Sequence, residues 1–351
     1  MTDFYSLKVA RADKETDDSL VVQLNIPDDL QDEFHFHPGQ HLTIKANIDG
    51  EELRRCYSIC SAPSEPSLQI GIKAIPEGRF SNFALNELKM GDELNVMPPQ
   101  GKFGFIPRKE QNKHYLGIAV GSGITPILSM LKATLEQEKS STFTLLYGNQ
   151  SLASMMFRNQ LLDLKNQYPD RFHVNYFFSR ETNEVELWNG RLDGDKLREL
   201  GQSLFNWGEF DACYVCGPEE ILESCYTALV EGGLAEDKYH VERFNTATTS
   251  RKKSENQSAN TVVTLKRDGR VMTINMTSQD NSLLDAALRQ GVDLPYACKG
   301  GVCATCVCKL KSGQVEMSTN YSLEADQLEK GYVLSCQAVP TTSEIEIDFD
   351  V

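Results

Sequence analysis

Short apolar runs separated by turn residues fill the first part of the chain. Runs of this length between turn signals predict β-strands, and strands that follow one another closely predict an antiparallel β-barrel. The predicted strands cover residues 21–26, 41–46, 57–60, 68–75 and 93–97, and a helix is predicted over 80–88. The turn signals between them are Pro38-Gly39, Asp49-Gly50 and Pro98-Pro99.

Between residues 113 and 244 the pattern changes to an alternation of apolar runs with longer helix-like stretches. Such an alternation predicts a parallel sheet wrapped by helices. The apolar runs lie at residues 115–120, 142–147, 174–178 and 212–215. The helix-like stretches lie at residues 126–137, 154–166, 194–200 and 218–231.

The remainder of the chain begins with a polar segment, residues 245–260. It has too few apolar side chains to offset the entropy of ordering, so we predict a flexible linker. Two apolar runs then flank Asp268-Gly269, which predicts a β-hairpin, and a helix is predicted over 283–289. The predicted domains are a β-barrel in 1–107, an α/β domain in 108–244, the linker 245–260 and a third domain in 261–351.

The charge balance narrows the classes of partner. The 351 residues carry 35 basic and 50 acidic side chains, a net charge of −15. This charge disfavours binding to nucleic acid or to an anionic membrane by bulk electrostatics. Residues 1–18 contain many polar and charged side chains and no apolar run of the length of a signal peptide, and glycines and Pro126 interrupt the most apolar window. Neither a signal peptide nor a membrane span is predicted, and we expect a cytoplasmic protein.

Four of the ten cysteines have the spacing of a metal site. They follow the pattern C-x4-C-x2-C, and a fourth cysteine follows after twenty-nine intervening residues, which is typical of a plant-type 2Fe-2S cluster. The predicted ligands are Cys298, Cys303, Cys306 and Cys336. Gly300 and Gly301 let backbone N–H groups turn toward the sulfurs. Zinc is the alternative, although its four-cysteine sites usually pair two short knuckles and Cys336 has no close partner in sequence.

Two motifs in the first domain suit a flavin nucleotide. Arg55-Cys56-Tyr57-Ser58 opens a strand, and Gly78-Arg79-Phe80-Ser81 opens the first predicted helix. A guanidinium and the N–H groups of a helix start suit a pyrophosphate, whereas an aromatic face and a small hydroxyl suit an isoalloxazine. The predicted flavin-binding residues are Arg55, Tyr57, Ser58, Lys73, Gly78, Arg79, Phe80 and Ser81.

A glycine-rich turn, Gly121-Ser122-Gly123-Ile124-Thr125-Pro126, follows the first strand of the second domain. Its glycines allow close approach of a phosphate-bearing ligand, and Pro126 suits a first helical turn. The turn is not G-x-G-x-x-G and no acidic residue ends the next strand, so an ordinary NAD Rossmann motif is disfavoured. A structural turn without a ligand is the alternative. Cys216-Gly217-Pro218 likewise joins a strand to a helix.

Taken together, these motifs in residues 1–244 resemble the ferredoxin–NADP reductase superfamily, and residues 261–351 resemble a plant-type ferredoxin of the β-grasp fold. The first resemblance implies FAD in the barrel and a pyridine nucleotide in the second domain. It implies that the nicotinamide is placed by Gly121, Gly123, Thr125, Pro126, Cys216 and Gly217. It also implies that the residues closest to hydride transfer are Tyr57, Ser58, Cys216 and Glu242.

The preference between NADPH and NADH rests on a second resemblance. Ser179-Arg180 resembles the segment that plant-type reductases use for the 2′-phosphate of NADP, whereas Gln150 stands where relatives often carry arginine. Arg180 supplies a guanidinium in its place, so NADPH is favoured and NADH stays possible. A solvated loop arginine is the alternative interpretation of Arg180.

The order of the domains implies an electron-transfer chain that hands single electrons to a separate protein. The six histidines show no pattern of an iron site that activates oxygen. The chain resembles the reductase subunits of bacterial phenylacetyl-CoA epoxidases, which belong to phenylacetate degradation, and the resemblance implies a di-iron oxygenase partner. Matching stretches lie at 38–41, 53–59, 242–245, 296–306 and 348–350. The alternatives are the reductase component of another multicomponent ring oxygenase or hydroxylase, with either NADPH or NADH as donor, and a redox-sensing or scaffolding protein without turnover.

Overall fold

The computed structural model describes residues 4–244 and 260–350. The described residues form two compact units, one that ends at Phe244 and one that begins at Asn260. Within this part of the chain, none of the helices combines the length and the apolar character needed to cross a bilayer.

The first unit begins with six antiparallel strands. They are β1 (Tyr5–Thr16), β2 (Ser19–Asn25), β3 (His41–Ile48), β4 (Glu51–Ser58), β5 (Leu68–Lys73) and β6 (Glu93–Val96). Their order in the sheet is β4-β3-β6-β1-β2-β5, and a bridge between Ile59 and Ile70 joins the two ends. Helix α1 (Arg79–Asn86) lies between β5 and β6 in sequence. The strands therefore close into a barrel.

Alternation of side chains explains the barrel interior. On β2, Leu20, Val22 and Leu24 are buried and the residues between them are more exposed, as a sheet with one buried face requires. Asp49 and Gly50 have φ angles of 55° and 80° and form the hairpin turn between β3 and β4. Two successive positive φ angles are typical of the turn that matches the twist of a hairpin.

The second half of the first unit is a five-stranded parallel sheet with helices between the strands. Its strands are β7 (His114–Val120), β8 (Thr142–Asn149), β9 (Phe172–Phe178), β10 (Ala212–Gly217) and β11 (Tyr239–Arg243). Its helices are α2 (Ile124–Gln137), α3 (Arg158–Gln167), α4 (Gly194–Ser203) and α5 (Glu219–Glu231). The order β11-β10-β7-β8-β9 places the point where the chain reverses direction between β7 and β10. Ligands of parallel sheets bind at the carboxyl ends of the strands beside such a point.

The second unit holds a mixed sheet of order β13-β12-β18-β14-β16 and a separate pair of β15 and β17. Its strands are β12 (Asn260–Arg267), β13 (Arg270–Thr277), β14 (Val307–Ser312), β15 (Val315–Met317), β16 (Tyr332–Leu334), β17 (Ala338–Pro340) and β18 (Glu344–Asp348). Its helices are α6 (Leu283–Arg289) and α7 (Ala325–Glu329). Strands β12 and β18 run parallel, and β12 and β13 form the predicted hairpin.

The predicted fold class, an antiparallel barrel followed by a parallel sheet and a third domain, is confirmed. The helix predicted over 154–166 begins only at Arg158, because Phe157 has a left-handed φ of 59°. Of the predicted linker 245–260, residues 245–259 lie outside the described residues, and Asn260 is already part of β12. The remaining domain boundaries stay predictions.

Candidate functional site

The two adjacent arginines of β4 have different environments because successive side chains of a strand point to opposite faces. Arg54 is 6% exposed, and its guanidinium forms an ion pair with Glu52 at 2.8 Å. Arg55 is exposed, and its Nη1 donates a 2.8 Å hydrogen bond to the Arg54 carbonyl. The predicted pyrophosphate-binding arginine is thus accessible to a ligand, whereas its neighbour is held by a carboxylate.

The two flavin motifs lie together in the folded barrel. The rings of Tyr57 and Phe80 have their centroids 5.5 Å apart at an interplanar angle of 38°. Ser58 is buried at the end of β4, and Phe80 is buried in the first turn of α1. Burial raises the pKa of Tyr57, partly offset by Arg55, so its hydroxyl stays protonated at neutral pH. Strand β4 and helix α1 therefore present one aromatic and hydroxyl-bearing surface.

The start of α1 differs in detail from the prediction. The Ser81 hydroxyl accepts a hydrogen bond from the Ile75 N–H at 3.3 Å and donates to the Gly78 carbonyl at 3.2 Å, so it fixes the preceding loop. The Arg79 guanidinium forms an ion pair with Glu51 and donates to the Ile48 carbonyl at 2.9 Å. The side chains of Ser81 and Arg79 are thus already engaged. The groups at the beginning of α1 that can bind a phosphate are backbone N–H groups, since the first N–H groups of a helix lack intrahelical acceptors.

Lys73, at the end of β5, has partners in both halves of the first unit. Its Nζ lies 2.8 Å from a carboxylate oxygen of Asp18 and 3.3 Å from the Ser154 carbonyl. The Asp18 carboxylate belongs to the barrel, and Ser154 belongs to the region that follows β8. Lys73 therefore joins the barrel to the parallel-sheet half.

The glycine-rich turn lies at the carboxyl end of β7, beside the reversal point of the sheet. Gly121 has a φ of 58° and open space where a side chain would stand. A Cβ on Gly123 would lie 2.0 Å from the carbonyl oxygen of Cys216, so only glycine permits this approach of the turn to β10. Pro126 and the buried Thr125 follow in the first turn of α2, and the Thr125 hydroxyl donates to the Ser122 carbonyl at 3.0 Å.

The remaining predicted nicotinamide residues come to the same edge. In the register of the sheet Cys216 pairs with Ala119 of β7 on one side and with Glu242 of β11 on the other, and Gly217 pairs with Arg243. Burial and the neighbouring Glu242 raise the pKa of the Cys216 thiol. The thiol is therefore neutral at physiological pH. The structure thus brings Gly121, Gly123, Thr125, Cys216, Gly217 and Glu242 to one edge of the sheet.

Ser179 and Arg180 follow β9 at this edge, and both are exposed. Their backbone positions are fixed, because the Ser179 N–H donates to the Asn149 carbonyl at 3.0 Å and the Arg180 N–H donates to the Gln150 carbonyl at 2.9 Å. The segment predicted to contact a 2′-phosphate is therefore held by backbone hydrogen bonds beside the end of β8.

Two residues of β8 that were not predicted as site residues also belong to this edge. The Asn149 side chain is buried, and its Nδ2 has no hydrogen-bond partner within the described residues. A buried amide without a partner is unfavourable, so a polar group of a bound nucleotide fits here. The Tyr147 hydroxyl lies 3.1 Å from the Gly121 carbonyl and so holds the glycine-rich turn. The only sequence signal for these two residues was the polar Asn149 at the end of an apolar run.

The four predicted cluster ligands form two pairs in the second unit. The thiols of Cys298 and Cys303 are hydrogen-bonded, as are those of Cys306 and Cys336. The hydrogen bond from Cys303 and burial raise the pKa of Cys298, whereas the hydrogen bond from Cys306 lowers the pKa of Cys336. Two pairs suit a binuclear cluster with two protein ligands on each iron.

Backbone geometry in the cysteine loop supports the same assignment. The Gly300 N–H donates to the Cys298 Sγ at 3.3 Å, and Lys299, Gly301 and Ala304 all have positive φ angles. N–H groups aimed at sulfur stabilise thiolate ligands. Among residues 4–244 and 260–350, no three His, Cys, Asp or Glu side chains lie together as ligands of a single ion. The ten cysteines, all of them in the described part of the chain and including the buried Cys308, form no disulfide.

Comparison with known proteins assigns a family to each of three parts of the chain. The family described as "Oxidoreductase FAD-binding domain" matches residues 6–105, and the family described as "Oxidoreductase NAD-binding domain" matches residues 118–226. The family described as "2Fe-2S iron-sulfur cluster binding domain" matches residues 265–341. The chain is 51% identical over 351 residues to a subunit of the 1,2-phenylacetyl-CoA epoxidase of Escherichia coli strain K12, covering 100% of this chain and 99% of that protein.

The chain belongs to the family of this epoxidase subunit. Its cofactors are FAD, a pyridine nucleotide and a 2Fe-2S cluster, and it is an oxidoreductase, as predicted. The fold of this member of the epoxidase-subunit family is similar to that of phthalate dioxygenase reductase, with a TM-score of 0.59, 22% identity, and coverage of 99% and 98% of the two chains.

A similar fold occurs within a longer protein chain. An intact type IV self-sufficient cytochrome P450 monooxygenase matches with a TM-score of 0.73 and 20% identity. The match covers 98% of this chain, which spans only 41% of that one. The likeness shows that the three-part fold also occurs as part of larger proteins.

Proposed function

We propose that this chain passes electrons from NADPH to the di-iron oxygenase component of a phenylacetyl-CoA epoxidase. The 51% identity along the full length of a subunit of such an epoxidase is the observation that carries the proposal. When bound, FAD accepts a hydride from the pyridine nucleotide and yields single electrons to the 2Fe-2S cluster. The chain's own residues bind these groups, orient them and exclude water from them.

We assign the flavin to the surface of β4 and α1. The accessible guanidinium of Arg55 and the backbone N–H groups in the first turn of α1, beginning with that of Arg79, suit the pyrophosphate, and the ring of Tyr57 suits the isoalloxazine. Ser58 supplies a buried hydroxyl at the end of β4. The closed loop around Ser81 and the packing of Phe80 on Tyr57 keep these groups in place.

We assign the nicotinamide to the edge formed by the glycine-rich turn and β10. Gly121 and Gly123 let the backbone approach the ligand, and the buried thiol of Cys216, beside Glu242, stays neutral. Thr125 contributes to the contact between the two halves of the unit, because a Cβ on Gly71 of β5 would lie 2.7 Å from its methyl group.

We propose NADPH as the preferred nucleotide. Arg180 is exposed on a backbone segment fixed to the end of β8, where a guanidinium can bind a 2′-phosphate with two hydrogen bonds. We also propose Cys298, Cys303, Cys306 and Cys336 as the cluster ligands, and the cytoplasm as the compartment. Ten cysteines that form no disulfide fit a reducing environment.

Reconstitution tests the proposed function. The purified chain, NADPH, a di-iron oxygenase component of a phenylacetyl-CoA epoxidase and phenylacetyl-CoA are mixed with oxygen, and the epoxide is measured by mass spectrometry. We expect product only when all components are present. Rapid NADPH-dependent reduction of an artificial one-electron acceptor without any epoxide would point to another oxygenase. Failure to reduce any one-electron acceptor would indicate a redox-sensing or scaffolding protein.

A further inference from the structure

Gln337 is a buried amide directly after the proposed ligand Cys336. It is 2% exposed, and its Nε2 donates hydrogen bonds to the Lys299 carbonyl at 2.9 Å and to the Cys336 Sγ at 3.4 Å. Its Oε1 accepts from the Ser318 hydroxyl at 2.7 Å. Every polar atom of the amide therefore has a partner, and one partner is a sulfur of the proposed cluster site.

The orientation of this amide is determined by its partners. The Lys299 carbonyl can only accept a hydrogen bond, so the nitrogen of the amide must face it. The Ser318 hydroxyl can donate, which suits the oxygen. Because Nε2 faces Lys299, its second N–H is available to the Cys336 sulfur. The assignment of nitrogen and oxygen thus follows from chemistry alone.

Gln337 also joins three segments around the cysteine loop. Lys299 belongs to the loop and has a φ of 54°, and Ser318 follows β15. The Ser318 N–H donates to the Gln337 carbonyl at 3.2 Å. A Cβ on Gly301 would lie 3.3 Å from the Gln337 Cγ, so the loop packs directly on this side chain. The amide is therefore held rigidly toward the sulfur.

We propose that Gln337 is a positioning residue that raises the reduction potential of the cluster through its N–H···S hydrogen bond to Cys336. Reduction adds one electron to the cluster, and no proton or other group has to move. A hydrogen-bond donor to a ligand sulfur stabilises the more negative, reduced form more than the oxidised form. The inference depends on Cys336 being a ligand, and does not depend on the identity of the oxygenase.

The expected effect is about tenfold in the equilibrium constant for cluster reduction, which corresponds to about 59 mV for a one-electron couple. Gln337→Leu removes the donor without adding charge. Gln337→Glu has the same shape but replaces the donor by an anionic acceptor. We expect the potential to fall in the order parent, Leu variant, Glu variant.

The measurement is an anaerobic redox titration of the full chain, followed by electron paramagnetic resonance of the reduced cluster. The flavin potential in the same samples is the internal reference. Gln314→Leu is the matched control, because Gln314 is an exposed glutamine of the same unit. We expect its cluster potential to equal that of the parent. A purely structural role of Gln337 would alter cluster content and would not produce the ordered fall in potential.

An unchanged potential in Gln337→Leu at full iron content would overturn the proposal. If that variant fails to retain iron, Ser318→Ala decides, since it keeps Gln337 but removes the hydrogen bond that fixes its amide. We expect a smaller fall in potential there, and no fall would equally refute the role. The iron content of Cys336→Ala tests the ligand assignment separately, so the two failures are distinguishable.

Discussion

Two side chains proposed to lie near the nicotinamide and the flavin, Cys216 and Tyr57, keep their protonation states over the physiological pH range. Burial and Glu242 raise the pKa of the Cys216 thiol, and burial raises the pKa of the Tyr57 hydroxyl. Both groups are therefore neutral when a nicotinamide approaches. Groups whose protonation stays constant suit transfer of a hydride, since a charge that changed with pH would alter the stability of the positively charged nicotinamide.

Replacement of one proposed cluster ligand should distinguish electron transfer through the cluster from hydride transfer to FAD. We expect Cys303→Ser to abolish reduction of one-electron protein acceptors, because Cys303 is a proposed ligand and is 5% exposed. Hydride transfer from NADPH to FAD should remain within about twofold of the parent, because the FAD and nucleotide sites lie in the other unit. Stopped-flow absorbance follows both steps.

Cys308→Ser is the matched control for that variant. Cys308 is fully buried, and its thiol donates to the Val333 carbonyl at 3.7 Å, so this variant also replaces a buried thiol of the same unit by a hydroxyl. We expect it to retain protein-acceptor reduction. Equal loss of both activities in Cys303→Ser would contradict this division of labour.

The identity of the nucleotide is tested at Arg180. We expect Arg180→Ala to raise the apparent KM for NADPH by about tenfold or more, as loss of a charge-assisted hydrogen-bonded contact requires. The KM for NADH should change little, because NADH has no 2′-phosphate. Steady-state kinetics with an artificial acceptor measures both, with Arg158→Ala as an exposed arginine control. Equal changes for the two nucleotides would show that Arg180 does not bind the 2′-phosphate.

Residues with local motifs were predictable from sequence, whereas residues defined by distant contacts were not. The spacing of Cys298, Cys303 and Cys306 and the glycines of the nucleotide turn are local signals. Gln337 acquires its importance from Lys299 and Ser318, which are 38 and 19 positions away. Asn149 has a buried amide nitrogen with no partner among the described residues, which becomes visible only once its neighbours are placed.

At the level of elements, two strands in which apolar and polar residues are mixed, β1 and β11, were not predicted from the sequence. Strand β1 (Tyr5–Thr16) buries only Leu7 and Val9 among its described side chains, so its charged remainder hides the alternation. Strand β11 (Tyr239–Arg243) lies at the edge of the parallel sheet, and all five of its residues are half-buried. Neither strand shows the apolar run that identifies central strands such as β7.

A bidentate salt bridge joins helix α6 to the segment that follows the β12–β13 hairpin. The Arg289 guanidinium donates to both Asp280 carboxylate oxygens at 2.8 Å, and the Asp280 side chain is nearly buried. We expect Arg289→Ala to lower the free energy of unfolding of the second unit, because it leaves the nearly buried Asp280 carboxylate without its cationic partner. Urea unfolding followed by cluster absorbance measures this. Lys330→Ala, which removes an exposed ion pair to Asp326 on α7, should cost about 0.5 kcal/mol or less.

The stabilisation by this salt bridge should be lost at low pH. Hydrogen bonds from Arg289 hold the pKa of Asp280 below its usual value, against the opposing effect of burial. The stabilisation is therefore complete above the unfolded-state pKa of about 3.9 and is lost as pH falls through the lower folded-state pKa. The difference between parent and Arg289→Ala should be constant from neutral pH down to about 5. A difference that grew on acidification would contradict this assignment.

At the scale of the whole molecule, three cofactor sites lie on one chain, and only the last step requires another protein. In the proposed function the flavin and the cluster belong to one chain, whereas transfer of electrons to the oxygenase requires encounter with a second protein. The net charge of −15 repels acidic surfaces and attracts basic ones. An oxygenase partner should therefore present a basic patch, which affects the encounter rate more than the affinity.

Salt should consequently slow the encounter with the oxygenase and leave the internal steps unchanged. Raising ionic strength from about 0.01 M to about 0.15 M shortens the Debye length from about 30 Å to about 8 Å. We expect the second-order rate of oxygenase reduction to fall by about tenfold over this range. Stopped-flow mixing of the reduced chain with oxygenase measures it, and the internal reduction of the cluster by the flavin is the control. A rate that rises with salt would mean that the partner is acidic at the contact.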